Sequence, residues 1–265
     1  MLFSAIKVTM QNRLSKYFFT LTNNKNNRSF LKLDVSLQKA IRLTYILNIE
    51  TSTKNCSVSV SNNGELVAIK ELNNGNYSHA EVLHPFINDV LNEANITFDK
   101  LNAIAVSKGP GSYTGLRIGV SSAKGLCFAL DKPLIAIDTL ESLAQQVNIG
   151  DGFIIPMLDA RRMEVYSAIY NYKHELIREI KAEILTEETY GDLLKNNKVY
   201  FIGNGVEKTK NLIQHPNAIY IEGKLPSANE MASLAEFKHK ISDTEDVAYF
   251  EPYYLKDFVA LKKKV

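Results

Sequence analysis

Hydrophobic and polar positions follow two rhythms along this chain. Thr44–Glu50 (TYILNIE) is a short apolar run and reads as a buried strand. Cys56–Val60 alternates toward Asn62-Asn63-Gly64, a hairpin signal, and Glu65–Leu72 returns as the next strand. Then the period lengthens. Val82, Leu83, Phe86, Ile87, Val90, Leu91 and Ala94 share one face of a helix, with Ser78 as its cap. Asn102–Ser107 is a strand, Lys108–Gly115 a glycine-rich turn, and a second helix runs to about Leu130. Pro133–Ile137 is a strand and Thr139–Val147 a helix.

The theme repeats after Gly150 and Gly152. Phe153–Leu158, Met163–Tyr170 and Lys198–Ile202 read as strands, and Leu185–Lys195 and Ser227–Lys238 as helices. Strands and helices mix in both halves, which predicts an α/β protein of two similar lobes, residues 44–149 and 150–265.

Residues 1–43 stand apart, with no sustained period and a polar tract, Asn23-Asn24-Lys25-Asn26-Asn27-Arg28. They read as an N-terminal extension, either disordered or lying before the true start. A targeting segment and a basic arm for RNA are the other readings. They carry eight Lys/Arg against one acid, Asp34. Of the chain's 31 basic and 29 acidic residues, 44–265 keep 23 and 28, a net −5. A body of that charge is a poor general binder of nucleic acid. No run approaches the roughly 18 apolar residues of a membrane span. Cys56 and Cys127 are far apart and lack metal-like spacing, which suits a reducing compartment.

Candidate chemistry is sparse. Gly109, Gly111, Ser112 and Thr114 sit where a strand turns into a helix, a natural anion site, although the glycines can equally serve only the turn. Gly115, Gly119, Ala123 and Cys127 form a small-residue stripe, read either as helix packing or as a protein interface. His79 and His84, five apart, do not share a helix face as an i,i+4 pair does, so no metal site is assigned. His174 and His215 show no partner and read as surface residues. No Gly-x-Ser-x-Gly elbow supports a hydrolase. Asp159-Ala160-Arg161-Arg162 is a charged turn at the lobe junction and a weak site candidate.

Ile49-Glu50-Thr51-Ser52, the run Lys108-Gly109-Pro110-Gly111-Ser112-Tyr113-Thr114-Gly115-Leu116-Arg117-Ile118-Gly119, Met157-Leu158-Asp159-Ala160-Arg161 and Pro252-x-Tyr254-Leu255 resemble the TsaB family over residues 44–265. The resemblance implies two duplicated actin-like (ASKHA, sugar-kinase-like) lobes. It implies a non-catalytic subunit, required with TsaD to place threonylcarbamoyl on N6 of adenosine 37 in tRNAs reading ANN codons. TsaE joins the complex, tRNA is reached through it, and a homodimer remains open. ATP and a metal ion belong to TsaD and TsaE, with no cofactor on this chain. Where TsaD carries a His-x3-His metal pair, Thr139 and Leu143 stand here. The pairing surface is placed on Val82, Phe86, Val90, Gly115, Gly119 and Ala123, so Gly119→Arg should abolish pairing without unfolding the chain. The family's peptidase M22 label is discounted, and a cytoplasmic location follows. A stand-alone phosphotransferase or a peptidase is the alternative.

Overall fold

The computed structural model describes residues 43–73, 75 and 78–256, so the N-terminal extension expected over 1–43 lies outside the described residues except for Leu43. The first sheet opens with β1 (Tyr45–Glu50), β2 (Cys56–Asn62) and β3 (Glu65–Leu72), an antiparallel meander turned at Asn63-Gly64, both at positive φ. Helix α1 (His79–Glu93) then leads through a short 3-10 turn to β4 (Leu101–Gly109), and α2 (Tyr113–Leu130) leads to β5 (Leu134–Asp138). β4 pairs parallel with β1, and β5 with β4, giving the order β3-β2-β1-β4-β5. Parallel neighbours need such helical crossovers.

The second sheet repeats this plan. β6 (Phe153–Asp159), β7 (Glu164–Asn171) and β8 (Leu176–Ile184) form the meander. β9 (Val199–Ile202) and β10 (Ala218–Ile221) add parallel strands on the other side of β6, in the order β10-β9-β6-β7-β8. Three further helices complete this half and its neighbours: α3 (Thr139–Ala144), α4 (Gly191–Leu194) and α5 (Val206–Leu212), followed by α6 (Ala228–Lys240).

Residue parity decides which face each side chain meets. Leu47, Ile49, Ile104 and Val106 pack beneath α1 and α2. Ile46, Ala103, Ala105, Ile135 and Ile137 meet α6 on the opposite face through Ala228, Met231 and Ala235. The serine face of β2, which an alternating strand would turn to solvent, is instead buried there. Its hydroxyls are used: Ser57 Oγ accepts from Ala228 N at 3.0 Å, and Ser59 Oγ donates to Ala228 O at 2.8 Å. α3, in turn, packs on the second sheet through Leu140, Leu143 and Ala144. Each sheet is therefore covered by a helix from the other half of the sequence, which a division at 149/150 does not capture.

Sequence periodicity overstated one helix and passed over three elements. Of Leu185–Lys195 only Gly191–Leu194 is helical, because Tyr190 takes a left-handed conformation at φ 64°. β8, α5 and β10 were not anticipated. In β8 the run LIREIKAEI mixes charge with aliphatics on an edge strand, so its alternation is weak.

Candidate functional site

The glycine-rich turn is built against the end of β1. Ser112 N donates to Ser52 O at 2.6 Å, Ser112 Oγ accepts from Gly115 N at 3.3 Å, and Thr51 Oγ1 donates to Gly115 O at 2.8 Å. A Cβ at Gly111 would lie 2.4 Å from Ser52 O, one at Gly115 2.1 Å from Thr51 O, and one at Gly119 2.3 Å from Thr51 Oγ1. The glycines let the turn and α2 lie against Thr51 and Ser52, Gly111 and Gly115 on their backbone and Gly119 on the Thr51 side chain.

This corrects the interface reading. Gly115, Gly119 and Ala123 are buried inside the chain, and Val90 is buried in the core under α1. Only Val82 and Phe86 of that set reach the surface, half-buried. An arginine at Gly119 would collide with Thr51, so Gly119→Arg tests folding rather than pairing. The outer faces of α1 and α2 present other residues. Between the helices His84, Arg117, Ile118 and Ser121 line a groove of about 390 Å³, and Phe128, 86% exposed, stands near the end of α2. Sequence periodicity could have found Phe128, an aromatic on the polar side of its helix.

At the strand end lies Glu50, fully buried. Its Oε1 accepts from Ser52 N at 2.6 Å, while Oε2 and the hydroxyls of Ser52 and Ser107 close no hydrogen bond of good geometry. Burial raises the carboxyl's pKa, with the Ser52 and Ser107 groups pulling the other way. A raised folded pKa contributes stability that is full below the unfolded value and is lost as pH rises through the folded one. Glu50→Gln is therefore expected to flatten the fall in unfolding midpoint as pH rises above the ordinary carboxylate range. A thermal melt series of both proteins checks this, and parallel curves would refute it.

Between the sheets opens a cleft of about 540 Å³. Gly111, Ser112 and Thr114 line one wall, but Gly109 lies behind it: its φ is 115°, and a Cβ there would sit 2.7 Å from Tyr253 O. Asp159, Ala160, Arg161 and Asn204 line the other wall, so the structure brings the charged turn to the glycine-rich one. The tail supplies the rim, which sequence reasoning missed because its ties are all long-range. Lys124 Nζ donates to Ala248 O at 3.1 Å and Phe250 O at 2.8 Å, and Tyr253 N donates to Lys108 O at 2.7 Å. Arg117 Nε donates to the Tyr254 hydroxyl at 3.3 Å and lies 4.2 Å from the Tyr113 ring centre. Tyr113 and Tyr254 are 5.0 Å apart, and Lys256 pairs with Glu164 on β7.

His79 is buried, with Nε2 2.7 Å from Thr53 O, and burial lowers its pKa. His84 is exposed beside Ser122. His174 and His215 do have partners: Nε2 of His174 lies 2.9 Å from Val147 O, and Nδ1 of His215 accepts from Asn217 N at 3.1 Å. Thr139 and Leu143 are both fully buried in α3. Among the described residues no group of three His, Cys, Asp or Glu converges as a metal site would require.

The duplicated sheets, each a three-strand meander extended by two parallel strands, with a cleft between them, define an actin-like α/β protein. A family model described as "TsaD: tRNA N6-adenosine threonylcarbamoyltransferase" matches residues 75–264. The "tRNA threonylcarbamoyladenosine biosynthesis protein TsaB" of Bacillus subtilis is 31% identical over 80% of this chain and 93% of its own length. The Escherichia coli protein of that name is 31% identical over 82% and 97%. The solved structure "YeaZ from Pseudomonas aeruginosa" superposes with a TM-score of 0.68 at 29% identity, over 80% of this chain and all of that one. The chain belongs to the family that this model describes and, within it, to the TsaB proteins.

Proposed function

We propose that the protein acts in the biosynthesis of tRNA threonylcarbamoyladenosine, as the names of its TsaB relatives state, and that it does so as a non-catalytic partner of TsaD. The observation that carries this reading is the kinship with TsaB proteins at 31% identity, over 93% and 97% of their own lengths. In the proposed division of labour TsaD transfers the threonylcarbamoyl group to N6 of adenosine 37, TsaE joins the pair, and ATP and the metal reside on those subunits. Glu50 supports that division. A buried carboxyl with a raised pKa, already accepting from Ser52 N, is poorly suited to holding a nucleotide-bound cation. Leu143, apolar and fully buried, offers no ligand atom.

TsaD, or a second copy of this chain in its absence, would dock on the outer faces of α1 and α2 around Val82, Phe86, Arg117 and Phe128. The anion-site reading is kept for Gly111, Ser112 and Thr114 on the cleft wall. Among the described residues no helix is long and apolar enough to cross a membrane, which accords with work on tRNA in the cytoplasm.

Purified components test the reading. Modified tRNA should form when TsaD, TsaE and this chain are all present. It should fall to background when this chain is left out, and stay there when the chain is supplied alone. Equal product without it would overturn the proposal. Product from the chain alone would make it the transferase.

A further inference from the structure

The tip of the β6–β7 hairpin is a built cationic turn. Arg161 and Arg162 are consecutive non-glycine residues at positive φ, 67° and 51°. Such a conformation is costly for these residues and persists only when the surroundings enforce it. Here Lys208 enforces it. Its ammonium, on a side chain only 17% exposed, donates to Asp159 Oδ1 at 2.6 Å, Arg162 O at 2.7 Å and Glu164 O at 2.7 Å. Asp159 Oδ1 also accepts from Arg161 N at 2.7 Å, and its backbone N donates to Asn204 Oδ1 at 2.8 Å.

The local carboxylates are thereby spent. Asp159 is held by Lys208 and Glu164 by Lys256. Both arginines are exposed, and neither guanidinium closes a hydrogen bond or ion pair among the described residues. On a body with net charge −5 this is a local excess of positive charge on a rigid support. Arg161 also lines the cleft, whose rim carries Tyr166 and Tyr253, the latter 42% exposed. Guanidinium groups beside open aromatic faces are the chemistry that recognises unpaired RNA, phosphates on the cations and bases on the rings.

We propose that the Arg161-Arg162 hairpin tip and the tyrosine-lined rim beside it form a docking surface for a single-stranded stretch of the tRNA substrate. This rests on the tRNA-modification reading above. The aromatic rim favours RNA over an acidic protein segment, for which the arginines alone would serve.

The test is the double variant Arg161→Asn, Arg162→Asn. Asparagine tolerates the left-handed conformation, so the turn keeps its shape and loses only its charge. In the assembled complex the tRNA dissociation constant should rise about tenfold or more. The slope of log affinity against log salt should shrink by about 1.5, as for two lost phosphate contacts on a single strand. The unfolding midpoint and co-elution with TsaD should not change. Unchanged affinity and slope would overturn the proposal. Loss of co-elution would also overturn it, assigning the tip to a protein contact. So would full displacement of a single-stranded RNA oligonucleotide by ATP, which would mark a mononucleotide site. Modification assays with and without the wild-type chain are read separately. If the chain proves dispensable there, the functional reading falls, while the affinity comparison still decides the docking surface.

Discussion

Gly115→Ala is expected to lower the unfolding midpoint by about 6 °C, whereas Gly125→Ala on the same helix should raise it by a few degrees. The two substitutions are chemically identical, and both gain about 1 kcal/mol of helix propensity. Their surroundings differ. The new methyl at position 115 would lie 2.1 Å from Thr51 O, a backbone atom, while nothing lies within 4 Å of one at 125. Relieving the first contact means moving α2 off the end of β1. That would break the Thr51–Gly115 and Ser112–Ser52 hydrogen bonds that shape the cleft wall. Such overpacking costs roughly 3 kcal/mol or more, and each kcal/mol is worth about 2–4 °C in a domain of this size. Thermal melts of both variants check the pair. Equal shifts would show that α2 does not depend on that contact.

Arg178→Ala should cost about 2 kcal/mol, below the 3–5 kcal/mol of a fully buried broken pair. Arg178 forms a two-pronged pair with Glu183, Nη1 to Oε1 at 3.1 Å and Nη2 to Oε2 at 2.7 Å, with side chains 22% and 24% exposed. Nη2 also donates to Ser167 Oγ at 3.0 Å, and the Tyr190 hydroxyl donates to the same oxygen at 2.8 Å. Truncation leaves a half-buried carboxylate facing two hydroxyls. Burial raises the Glu183 pKa, but its bonds to Arg178 outweigh that and hold it below the usual value. A depressed folded pKa contributes stability that is present above the unfolded value and lost as pH falls through the folded one. The gap between wild type and Arg178→Ala should therefore close in acid. Denaturant titrations at pH 7 and below pH 4 measure it, and a gap independent of pH would refute the assignment. The same network explains why Tyr190 tolerates a left-handed backbone: its ring lies 5.4 Å from the Arg178 guanidinium and 5.5 Å from the Phe201 ring.

Much of the fold was legible because strand and helix periods were strong where cores were thick. β1, α1, β4, α2 and β5 fall within a residue or two of the runs that announce them. What stayed hidden depended on distance along the chain. The serines of β2 look like a solvent face until α6, some 170 residues later, is laid over them. The stripe Gly115, Gly119, Ala123 was visible, yet helix packing and interface readings could not be separated from sequence. In the structure Gly115 and Gly119 face Thr51 at the end of β1 rather than α1. Local chemistry pointed to Gly111, Ser112 and Thr114, which line the cleft. Tyr253 and Lys256 were not, since nothing in the tail's composition says which wall it ties to.

The exchange of covering helices also bears on how the chain emerges from the ribosome. All strands of the first sheet exist once residue 138 is made, yet the helix that covers Ile46, Ala103, Ala105, Ile135 and Ile137 ends at Lys240. At 5–20 residues per second that apolar face stays bare for about 5–20 s. Nascent chains in that interval are clients for chaperones that hold exposed aliphatic surface. Any transcript ending before α6 would yield a sheet that can gain cover only from another molecule.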